Sequence, residues 1–282
     1  MRVRIIFELK NQGAMVDFHH QPQVASLIKS LIKGNDTYRH FRDYNFSALK
    51  GQTRTSKYGL HFLSSKITLV ISSRKQAFIT FLLDQLVALK TVVIGELQLR
   101  LIQVEREIFP AAESHTKFLC LSPLVLANPE EDPVSAKKFI PPTLDNFSDL
   151  VYEGTMMRME ATGLYTVEQL ESFNKFQIVP DKNYLNKLKA NEKKFARIYT
   201  VYDGAARNEL RGYTFPFVLY ADPLVQEYVI ECGLGACTTR GYGMVDLVDD
   251  YQTKRVLLEE YNHMMEVERP PHLGNSSQAD QR

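Results

Sequence analysis

The sequence predicts an α+β fold, two ferredoxin-like (βαββαβ) domains in tandem with a C-terminal glycine-rich loop, and three observations carry that reading. The chain has 282 residues, long enough for two compact units of roughly 100–150 residues each. Its apolar fraction of 44% supplies two real cores without a bias towards fibres or wholesale disorder. Within the first half, strand-like and helix-like periodicities follow one another in the order βαββαβ.

Residues 1–10 alternate polar and apolar side chains, as a half-buried strand does. A helix follows over about 20–33, with Val24, Leu27, Ile28, Leu31 and Ile32 on one face, and stops at Gly34-Asn35. Short strands are expected near 44–49 and 57–63, then a β-branched one over 66–73. Phe78, Ile79, Phe81, Leu82, Leu83 and Leu86 mark a buried helix over about 74–88, and one alternating strand runs from Val92 to Arg106. The second half follows a similar course. It has a strand at 117–121, a helix at about 144–160, strands near 195–202 and 211–221, a helix near 222–232 and a last strand at 243–248. An amphipathic helix is expected at about 252–266, with a polar, disordered tail from Pro270. The domains are therefore expected at 1–112 and 113–250, with the C-terminal helix and tail over 251–282.

No apolar run approaches the ~20 residues that span a bilayer, and the strand-like start does not read as a signal peptide. Three cysteines, Cys120, Cys232 and Cys237, are too few and too irregular for a disulfide framework or a paired-CxxC zinc site. Both points suit a soluble protein of the cytoplasm. Net charge is only +1, but residues 29–75 carry ten basic side chains against two acids, Asp36 and Asp43. A local basic surface binds phosphates even on a nearly neutral protein.

Residues 233–244 read Gly-Leu-Gly-Ala-Cys-Thr-Thr-Arg-Gly-Tyr-Gly-Met. Glycines allow backbone to approach a ligand closely, yet this segment lies after a helix and before a strand. A dinucleotide-binding turn has the opposite order. The spacing GxGxxxxxGxG, with Arg240 between the pairs, resembles the terminal signature of the repeat-associated RNA-binding proteins of CRISPR systems, the RAMP superfamily. Three further matches resemble their precursor-processing endoribonuclease branch: Phe18-His19-His20-Gln21, Tyr44-Asn45-Phe46-Ser47-Ala48-Leu49 with His40 upstream, and Cys120-Leu121-Ser122-Pro123-Leu124-Val125.

The resemblance implies metal-independent cleavage of CRISPR repeat RNA, the precursor crRNA, by attack of a ribose 2′-hydroxyl on its own 3′ phosphate. No cofactor or metal is implied. The partner is the repeat RNA, with a CRISPR effector complex and a homodimer as further candidates; the alternative is a non-catalytic repeat-binding subunit of such a complex. His40 stands where the family's histidine stands, and its ordinary pKa of ~6.5 suits either proton role. Arg42 occupies the place where many members have a lysine, and its guanidinium suits the phosphate oxygens. Where some members use a helix tyrosine this chain has Lys29, with Tyr38 as the alternative.

For binding, the candidates are Gly233, Gly235, Arg240, Gly241 and Gly243, with Lys187, Lys189, Lys193 and Lys194 of the lysine-rich run 182–197. Tyr184, Tyr199 and Tyr202 lie near enough in sequence to stack on bases or to pack in the core. His19 and His20, at a helix start, read as packing or capping groups before RNA contacts.

Overall fold

Alternation along the first segment is realised as β1 (Arg2–Leu9), whose Val3, Ile5 and Phe7 are fully buried. The computed structural model describes residues 1–127, 139–191, 196–203, 206–248 and 252–262. After β2 (Met15–Val16) come α1 (Gln21–Ile32), β3 (Tyr44–Phe46), β4 (Thr53–Thr55), β5 (Leu60–Phe62), β6 (Lys66–Ser73), α2 (Gln76–Ala88), β7 (Val92–Ile94) and β8 (Leu97–Ile108). The main sheet has the antiparallel order β8-β1-β6-β3, the split βαβ topology. Val24 and Ile28 of α1, and Phe78 and Leu82 of α2, share one core with Val3, Ile5, Phe7 and Leu69 of the sheet.

The second unit repeats the plan with β9 (His115–Cys120), β10 (Leu124–Val125), α3 (Phe147–Ala161), α4 (Val167–Ser172), β11 (Gln177–Pro180), α5 (Lys182–Ala190), β12 (Ala196–Asp203), β13 (Ala206–Tyr213), β14 (Pro216–Tyr220), α6 (Pro223–Cys232) and β15 (Val245–Leu247). Its sheet runs β11-β14-β9-β15. The hairpin β12-β13 leaves this sheet and pairs with β10 instead.

Three expectations need correction. The strand expected near 211–221 is broken: β13 ends at Tyr213 and β14 begins at Pro216, and the two lie in different sheets. The strand expected over Val92 to Arg106 is a hairpin, because Gly95 adopts φ +59° and turns β7 back onto β8. Residues 254–257 are not helical but form β16 (Lys254–Leu257), an antiparallel strand added to the outer edge of β8. The open hydrogen-bonding edge of β8 captures a segment whose spacing suits a helix, a tertiary override of local preference. Residues 263–282, with the expected tail, lie outside the described residues, as does most of the proline-rich stretch. No helix among the described residues is long and apolar enough to cross a membrane.

The two units are joined by a buried ionic knot. Arg2, 1% exposed, lies with Nε 2.7 Å from Glu107 Oε2 of β8 and Nη2 3.2 Å from Asp246 of β15, and it donates to the Val245 carbonyl at 2.8 Å. Charges so deeply buried persist only when paired, so this contact fixes how β15 meets the first sheet.

Candidate functional site

The glycine-rich segment leaves α6 at Gly233 and makes a single 3-10 turn, Thr238–Arg240, before entering β15. It is packed rather than open. Leu234 N donates to the Gly243 carbonyl at 2.8 Å, Gly243 N to Pro123 O at 2.9 Å, and Ala236 N to Val125 O at 2.8 Å. The segment is thus tied to the Leu-Ser-Pro strand region that follows β9.

Every glycine of the motif is demanded by close approach to protein atoms. A Cβ on Gly233 would stand 1.9 Å from Asn45 Nδ2, on Gly235 2.5 Å from Val125 O, on Gly241 2.5 Å from the Phe46 ring, and on Gly243 1.8 Å from Leu234 O. All four also have φ between +71° and +83°, where L side chains are strained. Two of those neighbours, Asn45 and Phe46, belong to β3 of the first unit. Asn45 also donates through Nδ2 to the Tyr242 carbonyl at 3.1 Å. The loop is therefore seated directly on the strand that follows His40 and Arg42.

Arg158, on the last turn of α3, clamps the base of the loop. Its Nη1 donates to the carbonyls of Gly233 (3.0 Å) and Gly235 (3.1 Å), and its Nη2 to that of Cys232 (2.6 Å). Its guanidinium also lies 5.4 Å from the centre of the Tyr228 ring. Burial pushes the Asp43 carboxyl up, and the nearby Arg158 charge opposes that rise. Arg158→Ala is expected to cost about 2 kcal/mol, since three acceptors lose a charged donor. Arg158→Lys keeps the charge but not the fork and should fall between. Denaturant melts of the three proteins check the order.

The two helix-start histidines have different roles. His20 is buried; its Nδ1 meets the Asp17 carbonyl at 3.2 Å and its Nε2 accepts the Leu49 N–H at 3.0 Å. It closes the connection after β3 onto α1. His19 instead reaches the second unit, where its Nε2 and the Tyr242 hydroxyl share a hydrogen bond and its ring lies 4.6 Å from that of Tyr199. Tyr199 and Tyr242 sit in one small core, so Tyr199 packs there, and Tyr184 donates to the Thr214 carbonyl at 3.2 Å. The side chain of Tyr202 lies outside the described residues.

Desolvation brings His19 down to about 4 and lowers His20 as well. A histidine held neutral in the fold but free to protonate when unfolded stabilises the protein fully above pH ~6.5, and this is lost as pH falls towards about 4. The Tm of the wild type should therefore fall more steeply across that window than that of His19→Gln. Parallel pH curves for the two would refute the linkage.

His40 and Arg42 are exposed on the connection 33–43, and His40 makes no hydrogen bond or ion pair among the described residues. Arg42 donates to the Phe41 carbonyl at 3.4 Å. Lys29 is exposed on the last turn of α1. Tyr38 is set apart from these, because its ring, 9% exposed, packs against Phe78 and Phe81 in the first core. Arg240 is half-buried within the 3-10 turn. Lys187 and Lys189 are exposed on α5, an element absent from the sequence reading, whereas Lys193 and Lys194 lie outside the described residues. Sequence reasoning missed Arg158, the contact of Asn45 with the loop and the His19–Tyr242 link.

No group of three or more His, Cys, Asp or Glu side chains among the described residues is placed to hold a metal ion. The family described as CRISPR associated protein Cas6, C-terminal, matches residues 105–247, about half of the 282-residue chain. Among solved structures, a Cas6-related protein from Pyrococcus furiosus superposes with a TM-score of 0.72 at 18% identity, over 89% of this chain and 99% of that one. A structure described as a RAMP protein binding different RNA substrates gives 0.71 at 18% identity, over 88% of this chain and 100% of that one. Another, described as CRISPR associated protein Cas6, gives 0.68 at 17% identity, over 88% and 99%. At these identities the likeness establishes the tandem ferredoxin-like fold. Comparison with curated protein sequences gives no match.

Proposed function

Because this chain belongs to the Cas6 family of CRISPR-associated proteins, we propose that it is an endoribonuclease that cuts CRISPR repeat RNA without a metal ion. The observation that carries the reading is the seating of the glycine-rich segment on Tyr44–Phe46. That contact sets the glycine-rich loop of one unit, to which we assign RNA binding, against the strand that begins just after His40 and Arg42 of the other.

The reaction needs a group to take the proton of the ribose 2′-hydroxyl, a cation for the charge on the phosphorane, and a group to protonate the leaving 5′ oxygen. The 2′ oxygen bonds to phosphorus and the bond from phosphorus to the 5′ oxygen breaks, leaving a 2′,3′-cyclic phosphate and a 5′ hydroxyl. His40 takes one of the two proton roles. Arg42 donates to the non-bridging oxygens, and Lys29 adds positive charge. The glycines shape the loop, while Arg240, Lys187 and Lys189 supply phosphate contacts.

A second reading, a repeat-binding protein that does not cut, is favoured by one observation: the Tyr38 ring is committed to the core, so it does not replace the helix tyrosine that Lys29 lacks. One experiment separates these and tests RNA binding itself. Incubation of the protein with repeat RNA from its own genome in excess chelator should give both salt-sensitive binding and a single cut. Binding without a cut selects the second reading. Failure to bind, or displacement by mononucleotides, overturns both.

A further inference from the structure

The small sheet β2-β5-β4 takes no part in either core sheet, yet its hairpin tip is tightly built. The turn Ser56-Lys57-Tyr58-Gly59 is organised around one hydroxyl: Ser56 Oγ accepts the N–H groups of Tyr58 (3.2 Å) and Gly59 (3.3 Å) and lies 3.2 Å from His61 Nε2. His61 is itself fixed, with Nδ1 2.9 Å from the Gly13 carbonyl. Gly59 presses on β2 so closely that a Cβ would stand 2.2 Å from Val16 O.

This order displays groups that do nothing for the fold. Tyr58 is 67% exposed, the Lys57 ammonium lies 4.7 Å from its ring centre, and all of β4, including Arg54, is exposed. Arg54 makes no ion pair among the described residues. The nearby carboxylates are engaged within the fold: Asp17 accepts from Gln23 Nε2 at 3.4 Å and Glu96 from Met15 N at 3.3 Å.

The tip is also tied to the loop through a short stretch of chain. Val16, against which Gly59 packs, is followed two residues later by Phe18, 52% exposed, and three residues later by His19, which bonds Tyr242 between Gly241 and Gly243. Three residues span at most ~11 Å of chain. An ammonium beside an exposed aromatic ring, with an exposed arginine on the adjoining strand, offers a single RNA strand charge for phosphates and a ring face for a base.

We propose that Arg54, Lys57 and Tyr58 of the β4-β5 tip form a single-stranded RNA contact that extends the glycine-loop surface past Phe18 and His19. The proposal rests on the RNA-binding reading above, and its test keeps the two apart. Affinity for labelled repeat RNA is measured across a salt series for the wild type, Tyr58→Ala, Tyr58→Phe, Lys57→Ala and Arg240→Ala.

Tyr58→Ala should weaken binding about tenfold at unchanged salt slope, and Tyr58→Phe should restore it, since stacking needs the ring and not the hydroxyl. Lys57→Ala should reduce the slope of log affinity against log salt by about 0.7, one phosphate contact on a single strand. If Arg240→Ala weakens binding while Tyr58→Ala and Lys57→Ala bind as the wild type does, the tip is no RNA contact and the loop reading stands. If the wild type itself fails to bind, both fall. All three tip variants replace exposed groups, so unchanged melting curves accompany either result.

Discussion

His40→Ala is expected to slow cleavage of repeat RNA by about 10²–10⁴-fold, the range lost with a general acid or base, while leaving RNA affinity within about twofold. The separation follows from where the residue sits. His40 is exposed and touches neither core, so its removal leaves no cavity and frees no buried partner. Under the proposed mechanism its loss is felt only where a proton moves. Single-turnover rates at saturating protein, with binding measured in parallel, read the two quantities independently. Equal rates for His40→Ala and the wild type would remove the histidine from the mechanism, and a matched loss of affinity and rate would make it a binding residue.

Gly243→Ala should cost about 4 kcal/mol of stability, from a strained positive φ together with overpacking. The Cβ would fall 1.8 Å from Leu234 O, a backbone atom that cannot rotate away. Both ends of the loop meet there, since Gly243 accepts from Leu234 N and donates to Pro123 O. Separation of those segments also lifts Tyr242 from Asn45 and His19. Repeat-RNA affinity should therefore fall together with the melting midpoint. Gly163→Ala is the control: its φ of +66° is similar, but nothing lies within 4 Å of its Cβ position. It should cost only the backbone strain, ~1–2 kcal/mol, and leave RNA affinity unchanged.

The elements of the first domain's main sheet and its helices were legible because most of them carry their own period, although the sheet pairs β1 with strands about 60 and 100 residues away. Alternation marks β1 and β6, and the helical face of α2 is nearly continuous. The β7-β8 hairpin shows why alternation alone misled. Buried positions run Val92, Ile94, then Leu97, Leu99 and Leu101, so their parity flips across Gly95, and that flip is the sequence trace of the turn. β16 left no such trace, because its cause is the free edge of β8, almost 150 residues earlier in the chain. The second domain lost α4 and α5 because they bury no residue fully, so no core stripe announces them, and β11 because only four residues form it.

The candidate site could be read from the sequence as residue types and not as an arrangement. Glycine spacing pointed to the loop, but the reason for those glycines, Asn45 and Phe46 across the domain junction, depends on contacts some 190 residues apart. Arg158 reads in sequence as an ordinary charge on the last turn of a helix, and only the fold aims it at three loop carbonyls. His40 and Arg42 stand out only by resemblance, since exposed side chains leave no pattern of burial.

The central claim, metal-free cutting by the RNA's own 2′-hydroxyl, is tested most directly by the ends of the product. Repeat RNA incubated with the protein in chelator should yield an upstream fragment ending in a 2′,3′-cyclic phosphate, or the 3′ phosphate it hydrolyses to, and a downstream fragment with a 5′ hydroxyl. Substitution of deoxyribose at the single nucleotide before the cut should block the reaction. A 5′ phosphate on the downstream fragment, or cutting that survives the deoxy substitution, would contradict the account.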